Sequence, residues 1–271
     1  MSGESLPDRL GEDGVTILEP IDRIMQQWAS AGPSTMLEPR PALPPRDGGE
    51  EAYRPSIRSP VPRLTILDDG ESLSGETVRL RGAATVIGRT EGQILLVHDP
   101  LVSSRHAEIL REGAGRPYHW VLRDLGSCNG TFVSCGRTEL RPDRLLMLGS
   151  RRFRFRPAAL MVSPQAIDLI GESVAAAVWP ALVETSQPGA AAEILLSGTD
   201  LVMGRPGCGN QVEIDDPCLA ERHARIVCDS QGRWHLEALP SKNGVWVQVS
   251  AIRLTAVCRF QVGEQRFLFT I

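Results

Sequence analysis

The 271-residue chain has a formal net charge of −4, a pI near 5.8 and 42% hydrophobic residues. That composition can bury sizeable cores, and the length suits two compact domains. It lacks the basic surplus of a protein that lives on nucleic acid or an anionic membrane, so neither partner is expected.

The N-terminal stretch Met1-Ser-Gly-Glu-Ser-Leu-Pro-Asp8 has neither the basic start nor the apolar run of a signal peptide, and no segment of the sequence is long and apolar enough to span a bilayer. A cytoplasmic protein is the expectation. Residues 1–62 form a Pro-rich tail with Gly, Arg and Glu interspersed, a composition that predicts disorder. Within it, Ile17, Ile21, Ile24, Met25 and Trp28 recur at helical spacing, which marks 15–29 as a candidate short helix or partner motif.

From Arg63 onward, short β-branched or alternating runs follow one another. Among them are Leu64–Leu67, Thr77–Leu80, Ala84–Ile87, His119–Leu122 and Arg152–Phe155, with Gly, Pro, Asn and Asp between. Many short strands at close intervals predict an all-β chain of antiparallel sandwiches, with Trp120, Trp234, Phe153, Phe155, Phe267 and Phe269 in the core.

The same landmarks return in the second half. Gly88-Arg89 recurs as Gly204-Arg205, Arg105-His106-Ala107 as Arg222-His223-Ala224, and Ser127-Cys128-Asn129-Gly130 as Ser241-Lys242-Asn243-Gly244. Trp120 is matched by Trp234, and Phe153/Phe155 by Phe267/Phe269. Ordered landmarks at a nearly constant offset indicate two copies of one unit, 63–157 and 178–271, joined by a linker over 158–177.

A phosphate dianion offers acceptors only, so its site needs an arginine fork, hydroxyl donors and N–H groups on turns. Arg89, Ser103 in the following loop and the Asn129-Gly130 turn supply such groups, and a sandwich gathers its loops at one end. Gly88-Arg89, then Ser103-Ser104-Arg105-His106, then Ser127-Cys128-Asn129-Gly130-Thr131 resemble the signature of the forkhead-associated (FHA) family: Gly-Arg, Ser-x-x-His and Ser-x-Asn-Gly-Thr.

The resemblance implies two FHA-type sandwiches in tandem, of a bacterial type, that bind phosphothreonine on partner proteins. A Ser/Thr kinase or its substrates would be among those partners. It implies that Arg89 and Ser103 hold the phosphate and that Asn129 fixes the peptide backbone. His106, Gly88 and Gly130 are then architectural, as are Gly204, His223 and Gly244 in the second copy. Ser104 and Cys128 occupy positions where the family often has Arg and a polar donor. In the second copy Arg205, Lys242 and Asn243 are the candidates, but Ala220 and Glu221 stand where a phosphate-binding Ser and its neighbour would be. Intact phosphate binding is therefore expected mainly of the first copy, and phosphate-independent interaction is the alternative for the second.

Thr16 and Thr35, each with Glu three residues on, are candidate phosphosites in the tail. The six cysteines match no zinc pattern, and His98, His119 and His235 fit no ligand spacing. No P-loop, kinase loop set, Gly-x-Ser-x-Gly elbow or His-Glu-x-x-His is present. The expectation is an interaction protein without catalytic activity, metal or cofactor.

Overall fold

A computed structural model describes residues 61–68, 74–113, 118–142, 144–158, 179–186 and 192–271. The candidate helix at 15–29, the tail threonines and most of the 158–177 linker lie outside these residues.

The first repeat contributes β1 (Arg63–Leu67), β2 (Gly75–Arg79), β3 (Ala84–Gly88), β4 (Ile94–Leu95), β5 (Ala107–Glu112), β6 (His119–Asp124), β7 (Thr131–Cys135), β8 (Arg137–Glu139), β9 (Leu145–Leu148) and β10 (Arg151–Arg156). The second contributes β11 (Ala181–Glu184), β12 (Glu193–Leu195), β13 (Asp200–Gly204), β14 (Val212–Glu213), β15 (Ala224–Cys228), β16 (Trp234–Ala238), β17 (Val245–Val249), β18 (Ala251–Leu254), β19 (Val257–Val262) and β20 (Gln265–Thr270). The described residues contain no helix. Pairing is antiparallel except at the short β3–β4 and β13–β14 contacts, which are parallel.

The sheet order shows that the two repeats exchange strands. One five-stranded sheet runs β4-β3-β5-β6-β18, and another runs β14-β13-β15-β16-β8. A ten-stranded sheet, β12-β11-β10-β9-β17-β7-β19-β20-β1-β2, crosses both. The first sandwich thus combines β1–β7 with β18–β20 of the second repeat, and the second combines β11–β17 with β8–β10 of the first. The sequence units 63–157 and 178–271 do not each close a sandwich of their own.

Connection length explains this. Only Gly136 separates β7 from β8, and only Ser250 separates β17 from β18. The tightest common hairpin needs two loop residues. One residue cannot fold the chain back on itself, so it steps across instead. There β8 pairs with β16 (Leu236 opposite Thr138), and β18 pairs with β6 (Ile252 opposite Leu122). At the seam β7 and β17 pair over five residues, from Val245–Cys135 to Val249–Thr131.

Alternation places the inward side chains. Phe153, Phe155, Phe267 and Phe269 are buried, as is Trp120, whose ring lies 6.5 Å from that of Phe269; Trp234 is half-buried against the core. Phe260 and Phe267 stack at 4.9 Å with planes 8° apart. Trp120 comes from the first repeat and Phe260, Phe267 and Phe269 from the second, so the core of the first sandwich is filled by both. Most buried residues form one continuous cluster through both sandwiches, and Phe132, Met147 and Trp246 form a second, smaller one.

Candidate functional site

At one end of the first sandwich, three loops meet. Gly88 ends β3, and a Cβ there would sit 2.1 Å from the Ser104 carbonyl oxygen, so only glycine lets the loop after β4 approach this closely. The Arg89 N–H donates to the Ser103 carbonyl (2.9 Å), and the N–H of Glu91 to that of Ser104 (3.0 Å). Arg89 and Ser103 therefore leave the backbone side by side. Arg89 is exposed, and no described residue offers its guanidinium a hydrogen bond or ion pair.

The Ser103 hydroxyl accepts the Cys128 N–H (3.1 Å), which ties its loop to the 127–130 turn and leaves its own proton for donation outward. Asn129 donates to the Leu101 carbonyl (2.8 Å), a second tie between the same loops. His106 is the brace beneath them. Fully buried, it accepts the Ser103 N–H at Nδ1 (3.2 Å) and faces the Gly130 carbonyl with Nε2 (3.1 Å). The acceptor role of Nδ1 makes Nε2 the protonated nitrogen, a neutral ring spanning two loops. Gly130 has φ +78°. A side chain there would strike the Gln248 amide of the second repeat, with a Cβ 2.2 Å from its nitrogen.

The sequence reading overlooked three groups. Asp124 is the hub of the turn, accepting from the N–H groups of Gly126 (2.9 Å) and Ser127 (2.8 Å) and from the hydroxyls of Ser127 and Thr131 (both 2.7 Å). The Asp-x-x-Ser spacing at 124–127 is a turn signature that could have found it. Glu91 and Thr90 engage Ser104, whose hydroxyl bonds the Glu91 carboxylate (3.1 Å) and shares a hydrogen bond with Thr90. Ser104 thus binds a carboxylate instead of standing as a spare donor. That contact joins loops 14 and 13 residues apart and left no local pattern.

The second sandwich repeats the scaffold. A Cβ on Gly204 would lie 2.0 Å from the Glu221 carbonyl oxygen, and Asn243 donates to the Cys218 carbonyl (2.8 Å). His223 accepts the Ala220 N–H (3.1 Å) and meets the Gly244 carbonyl (2.9 Å). Burial pushes the His223 pKa below its ordinary value, against the Gly244 bond and the nearby Asp216 carboxylate.

The anion-facing groups differ. Ala220 offers no hydroxyl, and the Glu221 carboxylate lies 3.8 Å from the Arg205 guanidinium. Both side chains are largely exposed, so the pair adds little stability; its consequence is a negative charge where an anion would approach. Ala238 stands where the repeat has Asp124, so this turn also lacks its hub. Lys242 is exposed and has an interaction partner of its own.

Each candidate site is braced by the other repeat. Asp99, before Ser103, accepts the Glu264 N–H (2.7 Å) in the β19–β20 turn. Asp216, before Ala220, accepts the N–H (2.7 Å) and hydroxyl (3.0 Å) of Ser150 in the β9–β10 turn. Of the remaining histidines, His98 is exposed, His119 lies 3.5 Å from Glu112 and His235 lies 3.1 Å from Asp229.

The FHA domain model matches twice, over residues 85–151 and 201–263. The chain is a tandem FHA-domain protein of bacterial type. Both matched stretches contain the Gly-Arg, the His brace and the Asn-Gly turn. The FHA domain-containing protein FhaB of Mycolicibacterium smegmatis is 33% identical over 76 residues, 28% of this chain and 46% of that protein. FhaB of Mycobacterium tuberculosis is 32% identical over 71 residues, 26% of this chain and 43% of that protein. The chain thus matches less than half the length of these curated relatives. A solved structure described as "Structural and functional analysis of phosphothreonine-dependent FHA domain interactions" aligns over 78% of this chain and 97% of its own, with 16% identity and a TM-score of 0.31. FHA domains are interaction modules, not catalytic domains, and they bind phosphothreonine-containing proteins.

Proposed function

We propose that this protein is a phosphothreonine-peptide-binding adaptor in Ser/Thr-kinase signalling, acting mainly through the first sandwich. The observation that carries this reading is Arg89, an exposed guanidinium without a partner among the described residues, anchored by its backbone to Ser103. Arg89 and the Ser103 hydroxyl grip the phosphate, and Asn129 and the 127–130 turn face the peptide backbone. A cytoplasmic setting fits the six free cysteines.

A phosphothreonine peptide library titrated against the protein should select ligands in roughly the micromolar range. Each hydrogen bond to a charged group contributes about 1.5–3 kcal/mol, so Arg89→Ala and Ser103→Ala should each weaken binding by about 10- to 100-fold. Equal binding of the same peptides after phosphatase treatment would defeat the proposal.

The second sandwich supports a different reading. Ala220 and the Arg205–Glu221 pair favour phosphate-independent contacts there. A partner held by this half should survive phosphatase in a pull-down.

A further inference from the structure

The ten-stranded sheet has one face on the core and one away from it. Register places Phe132, Met147 and Trp246 together on the outer face at the β7–β17 seam (Gln261–Phe132, Ser134–Trp246, Trp246–Met147). The same parity brings Arg152, Arg154 and Arg156 of β10, Arg259 of β19, Arg266 of β20, Arg63 of β1 and Arg79 of β2 to that face. One carboxylate shares it on the described strands, Glu193, which pairs with Arg156 at 2.9 Å. A chain of net charge −4 thus gathers seven arginines on one surface that only the joined sheet creates.

Two of these arginines are fixed. Arg152 lies 5.3 Å over the Phe132 ring and Arg266 lies 4.9 Å over the Trp246 ring, equivalent pairs in the two repeats. With their planes on aromatic rings, both guanidiniums keep their N–H edges for other groups. Among the described residues, Arg266 bonds only neutral oxygens, those of Gln261 (3.1 Å) and Asn243 (3.3 Å). Burial and then the charge of Arg259 push its pKa down, and burial does the same at Arg259. Positive charge is therefore held half-buried at Arg259 and Arg266, neither of which forms an ion pair with a carboxylate of the described residues. A cleft of about 540 Å³ opens there, lined by Met147, Arg152, Gln261 and Arg266, with Asp68 and Glu264 on its wall.

We propose that this arginine face is the docking surface for the chain's own acidic N-terminal segment, residues 1–29. That segment holds six carboxylates (Glu4, Asp8, Glu12, Asp13, Glu19, Asp22) against two arginines, Arg9 and Arg23. The charges are complementary, and the geometry allows the contact. Residues 30–62 lead directly into Arg63 on β1, a strand of the same sheet. A coil of that length spans roughly 30 Å, whereas three strand spacings from β1 to β7 cover about 15 Å. The contact uses neither Arg89 nor Ser103 and needs no phosphate.

Hydrogen exchange of the full-length protein tests this. In low salt, amides within 1–29 should exchange at least about fivefold more slowly than in high salt, because exposed charge pairs are screened. The slowing should vanish in a variant with the six carboxylates replaced by amides, which leaves the sheet untouched, and in Arg154→Glu/Arg259→Glu. Unprotected amides in low salt would overturn the proposal. So would protection that survives both variants, which places the segment elsewhere. Protection that grows with protein concentration would assign the contact to a second copy and overturn docking within one chain. Release of the segment by a single-stranded oligonucleotide, but not by a neutral polymer of equal length, would show a polyanion competing for the same arginines and would support the proposal.

Discussion

At the scale of single residues, the two candidate sites share a skeleton and differ in the groups that meet an anion. The glycines, histidines and asparagines of the motif do equivalent mechanical work in both: Gly88 and Gly204 admit a carbonyl, His106 and His223 span two loops, and Asn129 and Asn243 tie loop to loop. The glycine and histidine roles were legible because each residue type has few reasons to stand at its position; the loop tie made by each asparagine was not, since the resemblance gave Asn129 to the peptide backbone. The engagement of Ser104 by Glu91, and of Arg205 by Glu221, was less legible, since it depends on how long side chains settle across loops. The comparison makes a gain-of-function test available. In an Arg89→Ala background, which silences the first site, Ala220→Ser/Glu221→Ser should restore a hydroxyl and remove the opposing carboxylate. Phosphopeptide affinity at the second site should then rise about tenfold or more in a fluorescence titration. No change would mean that the absent Asp124-like hub, and not the missing hydroxyl, limits this copy.

At the scale of the element, the loop from Asp216 to His223 couples the second site to pH. Burial disfavours a charge on Asp216. Hydrogen bonds from the Ser150 and Cys218 N–H groups and the Ser150 hydroxyl, with Arg151 nearby, outweigh that and hold its pKa below the ordinary value of 3.8. His223 has its pKa lowered from 6.5, burial being the largest cause. Both folded-state values are depressed, so both contributions are present at neutral pH and are lost on acidification. His223 acts first: below pH 6.5 the unfolded chain takes up a proton that the folded chain resists. Asp216 follows, below 3.8. Stability measured by urea unfolding should fall as pH drops through 6.5, with a slope of at most about 1.4 kcal/mol per pH unit from this histidine. His223→Gln should flatten that slope at the expense of overall stability. An identical slope in the variant would assign the acid sensitivity to another group.

At the scale of the whole molecule, strand exchange turns two similar units into one body. Separating the repeats by cutting the chain between 158 and 179 should leave the fragments associated, because each sandwich holds strands from both sides of the cut. Size-exclusion chromatography should show a single particle at nanomolar dilution. Two folded fragments that elute apart would contradict the exchange. The amino-acid pattern determined the all-β class, the strand positions, the doubling of the unit and the residues around Arg89 and Arg205. All of these follow from local alternation, turn chemistry and repetition, which neighbouring residues carry in themselves. The choice of partner for the last three strands was not local. Phe153 and Phe155 present the same inward pattern as Phe267 and Phe269, so either set could fill either sandwich. Only the assembled structure decided between them, because single-residue links at Gly136 and Ser250 prevent a return and the partner's open sheet edge offers the missing hydrogen bonds. The arginine face exists for the same reason, since its members come from strands that adjoin only after the sandwiches have been joined.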